Sequence, residues 1–289
     1  MYKCYRTGKL KFFLILDTTL VLIWLIGSFL HNSLRSAGSD NEGIFLPIVM
    51  YHSITENPQT DYQLSPEAFA EDLYYLYANG YHTVTTEQLL AYTEHRGTLP
   101  EKPVMLTFDD GFYNNLSIAL PILEEYDMQA VISLVGYYTD VTAENDPHVD
   151  RYSYLTWEDV KALQKSGRIE IGSHTYNLHS NQDRAGCSIL YGEDEEAYTS
   201  MLREDLGKLQ SRMLEQTGTE SIVFAYPYGF VCRESVPVLK ELGFKCTLIC
   251  REEGNYITDN PECLYGLSRY NRSPEYSTAD FFNRILNES

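Results

Sequence analysis

From Phe45 onward the chain alternates short apolar runs with longer amphipathic ones, and this rhythm constrains the fold more than any other feature. Expected strands are Phe45–His52, Thr83–Thr85, Val104–Asp110, Ala130–Gly136, Glu170–Thr175, Ile222–Pro227, Cys246–Ile249 and Leu264–Tyr270. Expected helices between them are Pro66–Ala78, Thr86–Glu94 behind a Thr cap, Ser117–Tyr126 with Pro121 near its start, Trp157–Lys165, Glu195–Gln216 and Ser235–Leu242. Strands that alternate with helices imply a mostly parallel sheet, because each helix carries the chain back over the sheet. The fold class is therefore α/β, and the expected architecture is a distorted parallel (β/α) barrel of about seven or eight strands, a size that one large domain commonly fills. No internal repeat or low-complexity segment interrupts the pattern.

The first 43 residues differ in kind. Lys3, Arg6, Lys9 and Lys11 precede an apolar run, Phe12 to Leu30, broken by Asp17, Thr18 and Thr19. As a helix this run is about long enough to cross a bilayer. Its basic flank predicts a cytoplasmic tail over residues 1–11, a single transmembrane anchor over 12–30, and everything later on the extracytoplasmic side of the cell membrane. A cleaved signal peptide is the alternative, but Ser36-Ala37-Gly38 is a poor small-x-small cleavage site. Residues 31–43 are small and polar and read as a linker, which leaves 44–289 as one folded domain.

Charge narrows the partners. The chain carries −19, and residues 1–42 hold +2 of it, so the remainder carries −21. Such a surface repels phosphate backbones and argues against nucleic acid. It suits solubility or attraction to a cationic polymer. Six cysteines include no CxxC pair, which argues against a thiolate zinc site and fixes no disulfide. The 24 tyrosines fit either amphipathic packing of a barrel wall or stacking on sugars.

Reactive residues cluster at the ends of the expected strands. His52 ends the first, Asp109 and Asp110 the third, His174 the fifth with His179 just beyond, Pro227 and Tyr228 the sixth, and Arg269 lies near the end of the last. In a parallel barrel those ends meet at one mouth, where active sites form. In Thr107-Phe108-Asp109-Asp110-Gly111 two adjacent carboxylates point in different directions, so one can bind a metal while the other serves as a base; a plain Asp-capped turn is the alternative. His174 and His179 can reach one ion if the chain bends between them, and with one carboxylate they leave positions open for water and substrate. His52 suits a general acid, a third ligand or a core histidine. Phe224-Ala225-Tyr226-Pro227-Tyr228-Gly229 suits a strand ending in an ordinary turn.

Together the Thr-Phe-Asp-Asp-Gly block, the Ser-His-Thr segment with a second histidine, and Tyr-Pro-Tyr-Gly resemble the polysaccharide deacetylase (NodB-homology, carbohydrate esterase 4) family over Phe45 to Tyr270. The resemblance implies a hydrolase that removes N-acetyl groups from an amino-sugar polysaccharide. It implies that Asp109 is the catalytic base, and that Asp110, His174 and His179 hold one divalent ion, zinc first and cobalt or nickel as alternatives. It places Pro227 and Tyr228 at the substrate groove, with the Tyr228 N–H facing the oxyanion. Two departures stand out. The third motif lacks the arginine that pairs with the base, and Leu267-Ser268-Arg269-Tyr270 lacks the late acidic histidine. Met50-Tyr51-His52 and the His-x4-His spacing are instead similar to the poly-N-acetylglucosamine deacetylase branch, whose acid histidine comes early; His52 matches it. Arg269 is the candidate substitute for the absent arginine. Peptidoglycan, chitin or xylan-ester deacylation on the same scaffold is the rival activity, and an inactive anchored glycan-binding protein is the rival class.

Overall fold

Pro47 divides the first apolar run into two strands with different partners. Ile44–Leu46 pairs antiparallel with Asn255–Ile257, whereas Ile48–Tyr51 (β1) enters the main sheet. A proline has no N–H to give a ladder, so the single strand expected over Phe45–His52 is corrected to this pair. Pro47 contributes only its carbonyl, which accepts from the Met105 N–H. In this computed structural model, residues 43–145 and 148–286 are described. The expected tail, anchor and most of the linker, residues 1–42, lie outside the described residues, among which no helix is long and apolar enough to cross a membrane.

The strands after β1 are Pro103–Phe108 (β2), Ala130–Leu134 (β3), Ile169–Ser173 (β4), Val223–Ala225 (β5), Cys246–Leu248 (β6), Tyr265–Leu267 (β7) and Tyr270–Asn271 (β8). Neighbours along the path β7-β6-β5-β4-β3-β2-β1-β8 are all parallel, and the short strand His82–Thr83 adds to the start of β2. The two outer strands, β7 and β8, are separated in sequence only by Ser268 and Arg269. Three residue steps span at most about 10 Å, so the sheet must curl until its edges stand side by side. The result is an eight-stranded parallel (β/α) half-barrel sheet in place of the expected barrel, with Ser268 and Arg269 linking its two end strands. The one strand expected over Leu264–Tyr270 is split there for the same reason.

Alternation along each strand sorts side chains between two faces. Ile48, Met105, Val131, Val223, Cys246 and Leu248 share the barrel interior, whereas Val49, Leu106, Ile132 and Ile171 pack beneath the helices. The helices begin where the sequence offers caps. Ser65 caps Pro66–Ala78, which buries Phe69, Leu73 and Leu76. Thr85 and Thr156 form capping boxes before Thr86–Thr93 and Trp157–Lys165. Gly218, left-handed at φ 77°, closes Glu195–Thr217. The helix expected over Ser117–Tyr126 is α-helical only over Leu120–Glu125, behind a π turn at Asn115–Ala119. Gly136–Asn145 and Thr278–Leu286 are helices that periodicity did not reveal. The last is tied to the first helix by a buried pair, in which Arg272 donates to both Asp72 oxygens at 2.8 and 3.0 Å and the Thr278 hydroxyl adds a bond of 2.7 Å.

At the end of the barrel opposite the strand tips, β4 turns Glu170 inward. Its Oε2 accepts the Thr86 N–H at 2.8 Å, while Oε1 is buried without a hydrogen-bond partner among the described residues. Burial outweighs the bonds to Thr86 and pushes the carboxyl from its ordinary 4.5 up to about 7. The folded chain then keeps a proton that the unfolded chain has released, so Glu170 favours folding fully below about pH 4.5 and progressively less as the pH rises to about 7. Glu170→Gln should therefore gain stability relative to the parent between pH 5 and pH 8, by about 2–3 kcal/mol in denaturant unfolding. A difference that does not change with pH would refute this.

Candidate active site

The interior side of each strand, continued past its last residue, delivers the site. Ile48 and Met50 lead to His52, Met105 and Thr107 to Asp109, Gly172 to His174, Leu248 to Cys250, and Leu267 to Arg269. His52, Asp109, Asp110, His174, His179, Tyr228 and Cys250 line one cavity of about 460 Å³, together with Met50, Tyr62 and Phe112.

Asp110 follows Asp109 but does not continue the strand. It is left-handed at φ 72°, a conformation that Asp tolerates better than most residues, and Gly111 follows at φ 73°. A Cβ on Gly111 would also lie 2.7 Å from Leu134 Cδ2. This turn separates the two carboxylates. Asp110 Oδ1 stands 3.1 Å from His179 Nε2 and 3.7 Å from His174 Nε2. One potential ligand atom from each of the three residues lies within 4.8 Å of the others.

The donor set fits a divalent cation. The His174 Nδ1–H donates to the Ala225 carbonyl at 2.8 Å, which fixes the tautomer and leaves Nε2 with a free lone pair toward Asp110. Asp110 Oδ1 is buried and, among the described residues, has no well-aligned hydrogen bond, its near neighbours being the two histidine Nε2 atoms, so a cation seated between them would offset its burial. Burial holds His174 below its ordinary 6.5 despite the two nearby carboxylates, so the ring is neutral, as a ligand must be. Burial also opposes charge on Asp110 and His179, but their mutual contact prevails, lowering the carboxyl and raising the imidazole. The segment after β4 is pinned by Asp205, whose carboxylate accepts the Tyr176 and Asn177 N–H groups, each at 2.8 Å.

Asp109 is held differently. Arg269, fully buried between β7 and β8, donates from Nη1 and Nη2 to its two oxygens, both at 2.8 Å. Arg269 also reaches Thr107 Oγ1 at 3.3 Å and the Ile249 carbonyl at 3.2 Å. Burial alone would raise the Asp109 carboxyl, but the Arg269 charge overcomes it and holds the group well below the usual carboxylate range. Asp109 thus stays ionised although it is only 2% exposed. Across the cavity, burial lowers His52 against the pull of Asp110 and Asp109, and its Nδ1 has no hydrogen-bond partner among the described residues. The His52 carbonyl accepts from Asn115 Nδ2 at 2.8 Å.

Pro227 and Arg269 do not line the cavity. Pro227 is buried beneath its turn, and Arg269 sits behind Asp109, where substrate cannot touch it. Tyr228 is left-handed at φ 56°. The hydrogen bonds of its turn run from the Gly229 N–H to Tyr226 and from the Phe230 N–H to Pro227, so neither uses the Tyr228 N–H. Three contributors went unremarked in the sequence. Cys250 was within reach, two positions beyond Leu248 on the inward side. Tyr62 and Asn115 sit in irregular segments where no periodicity applies.

A parallel barrel with an aspartate pair and two histidines at one mouth is the framework of a polysaccharide deacetylase. The family model described as "Polysaccharide deacetylase" matches residues 96–247, and the chain belongs to that family. Within it, the chain is similar to proteins named poly-β-1,6-N-acetyl-D-glucosamine N-deacetylase. The one from Escherichia coli K12 is 30% identical over 219 residues, which are 68% of this chain and 32% of that protein, so the chain spans about a third of this relative's length. The putative polysaccharide deacetylase YxkH of Bacillus subtilis 168 is 28% identical over 236 residues, covering 82% of this chain and 74% of that protein. Among solved structures, a de-N-acetylase from Aggregatibacter actinomycetemcomitans superposes with a TM-score of 0.71 at 25% identity, over 83% of this chain and 100% of that one. IcaB from Ammonifex degensii gives 0.67 at 26%, over 81% and 94%.

If the three residues form one cation site, isothermal titration of the full chain with zinc should give one tight site. His174→Ala and Asp110→Ala should each weaken it by roughly 100-fold or more, beyond the loss typical of an outer hydrogen-bond partner. Unchanged affinity in both variants would contradict the assignment.

Proposed function

We propose that this protein hydrolyses N-acetyl groups of an N-acetylglucosamine-containing polysaccharide at the cell surface, releasing acetate and leaving free amines. The observation that carries this reading is the separation of roles within the aspartate pair. Asp110 faces the two histidines, while Asp109 is kept ionised by Arg269 in the same cavity, beside the cation site. The names of the relatives support the choice of an amino-sugar polymer.

A divalent ion held by Asp110, His174 and His179, zinc in our reading, would supply Lewis acidity to the acetyl carbonyl and to the attacking water. Asp109 takes the proton of that water at a carboxylate oxygen. Its bidentate bond to Arg269 fixes the orientation of the carboxylate during the transfer. The Tyr228 N–H, free of the turn's own hydrogen bonds, donates to the developing oxyanion. His52 gives a proton to the departing sugar nitrogen. His52 enters this step as the imidazolium; burial weakens its hold on the proton, which passes readily to the amine, and the proton that Asp109 takes from the water makes good the loss. The anchored, extracytoplasmic placement read from residues 1–42 belongs to this proposal and brings the cavity to the polymer.

The full chain should release acetate from N-acetylglucosamine oligomers, and a chelator should abolish the release. In a panel with peptidoglycan, chitin and acetylated xylan, β-1,6-linked N-acetylglucosamine oligomers should react fastest. Absence of acetate from metal-supplemented protein would refute the reading. His52→Ala should lower kcat by about 100-fold or more without loss of bound metal, and should slow an ester with a better leaving group less. Near-full amidase activity in this variant would remove His52 as the acid.

A further inference from the structure

Tyr62 lines the cavity, and the chemistry above leaves its placement unexplained. It precedes Gln63–Leu64, which pairs with Ser53–Ile54 just after His52. Its backbone is pinned from several sides. The Tyr62 carbonyl accepts the Ser53 N–H at 3.2 Å, the Leu64 carbonyl accepts the Thr55 N–H at 2.9 Å, and the neighbouring Asp61 carbonyl accepts from Asn271 Nδ2 at 3.1 Å. The ring meets His52 with centroids 4.8 Å apart and planes at 62°. Even so, 57% of Tyr62 is exposed, and it lines the cavity beside Thr60 and Gln63. A large aromatic held by fixed backbone yet left half open gains little from burial within its own fold. The wall that carries Tyr228 ends in the same way. Tyr228 and Phe230, with centroids 6.3 Å apart, are each 43% exposed.

We propose that Tyr62 is a stacking platform for the pyranose ring at the reacting position, and that it sets the affinity and orientation of the glycan unit presented to His52. The inference rests on the polysaccharide deacetylase reading above and names a residue that recognises its substrate. A β-linked N-acetylglucosamine unit carries its substituents equatorially, which leaves two faces of C–H groups. An aromatic ring covers such a face, and its own hydroxyl stays wet. Contact with His52 places that face beside the proton donor, so one residue couples sugar orientation to the imidazole.

The test uses the full chain and N-acetylglucosamine tetramers to hexamers. Tyr62→Ala should raise KM by about tenfold, the scale of one lost aromatic contact, with the effect falling on KM rather than kcat, and Tyr62→Phe and Tyr62→Trp should restore KM. A fall in kcat at constant KM would show that Tyr62 only props His52, and no change in either constant would show that it does nothing for substrate; both outcomes overturn the proposal. If the parent protein releases no acetate, the activity reading fails instead. Stacking is then judged by fluorescence of the Tyr62→Trp variant corrected for the parent's tryptophans. Saturable quenching or a spectral shift with the oligomers supports the platform, and an unchanged spectrum overturns it.

Discussion

Arg269 and Asp109 meet in the interior behind the strand ends, where burial alone would push the Asp109 carboxyl toward its neutral form and leave the guanidinium charge uncompensated. Removing a carboxylate or a guanidinium from water costs several kcal/mol, and only a close, fully hydrogen-bonded partner offsets it. Here the partners form two parallel bonds of 2.8 Å, with Thr107 and the Ile249 carbonyl taking further donors of the guanidinium. Arg269 reaches this point because it lies in the short link between β7 and β8, the two edges of the sheet. The link between the two end strands thus also carries the charge that keeps Asp109 ionised. A buried ion pair is weak evidence for stability as such. Its consequence here is a carboxylate that keeps its charge at neutral pH in a place where burial would otherwise protonate it.

The rest of the mouth is organised around that charge. The left-handed turn at Asp110 and Gly111 aims the second carboxylate away from Arg269 and toward His174 and His179. The bond from His174 to the Ala225 carbonyl crosses from β4 to β5, so the ring's tautomer is fixed by the frame of the barrel. Asp205, on the long helix Glu195–Thr217, holds the backbone of Tyr176 and Asn177 and so positions the loop that carries His179. Asn115, in the π turn after the aspartates, donates to the His52 carbonyl and ties the strand end that carries His52 to the aspartate loop. The residues that would touch substrate are thus positioned by groups that do not.

Legibility in the sequence followed the range of the interaction. The strand–helix rhythm is local, and with it came the parallel sheet, the caps and the strand-end placement of His52, Asp109, Asp110, His174 and His179. Alternation carried further than was used, since the inward parity that brings Asp109 and His174 to the mouth also brings Cys250. Pro47 could have been read as a break in the first strand, because it lacks a donor. The split at Ser268 and Arg269 could not, because it depends on two sheet edges meeting. The same holds for Arg269. The family resemblance suggested it as a partner for Asp109, but the link that carries it joins strands whose neighbours lie far apart in sequence. Helix Thr278–Leu286 depends on the Arg272–Asp72 pair across some 200 residues, a contact that no window reveals. Tyr62 and the π turn at Asn115–Ala119 belong to irregular backbone, where neither period applies.

The account turns on Asp109 being a charged base that is not itself a ligand. The most direct measurement is acetate release from N-acetylglucosamine oligomers by the parent and by Asp109→Asn, with bound metal quantified in the same samples. The substitution preserves shape and removes the charge that accepts a proton. One ion per chain in both proteins, with acetate release reduced by about 100-fold or more in the variant, is the expected result. Acetate release within a few-fold of the parent, or loss of the ion together with activity, would contradict the division of roles between Asp109 and Asp110.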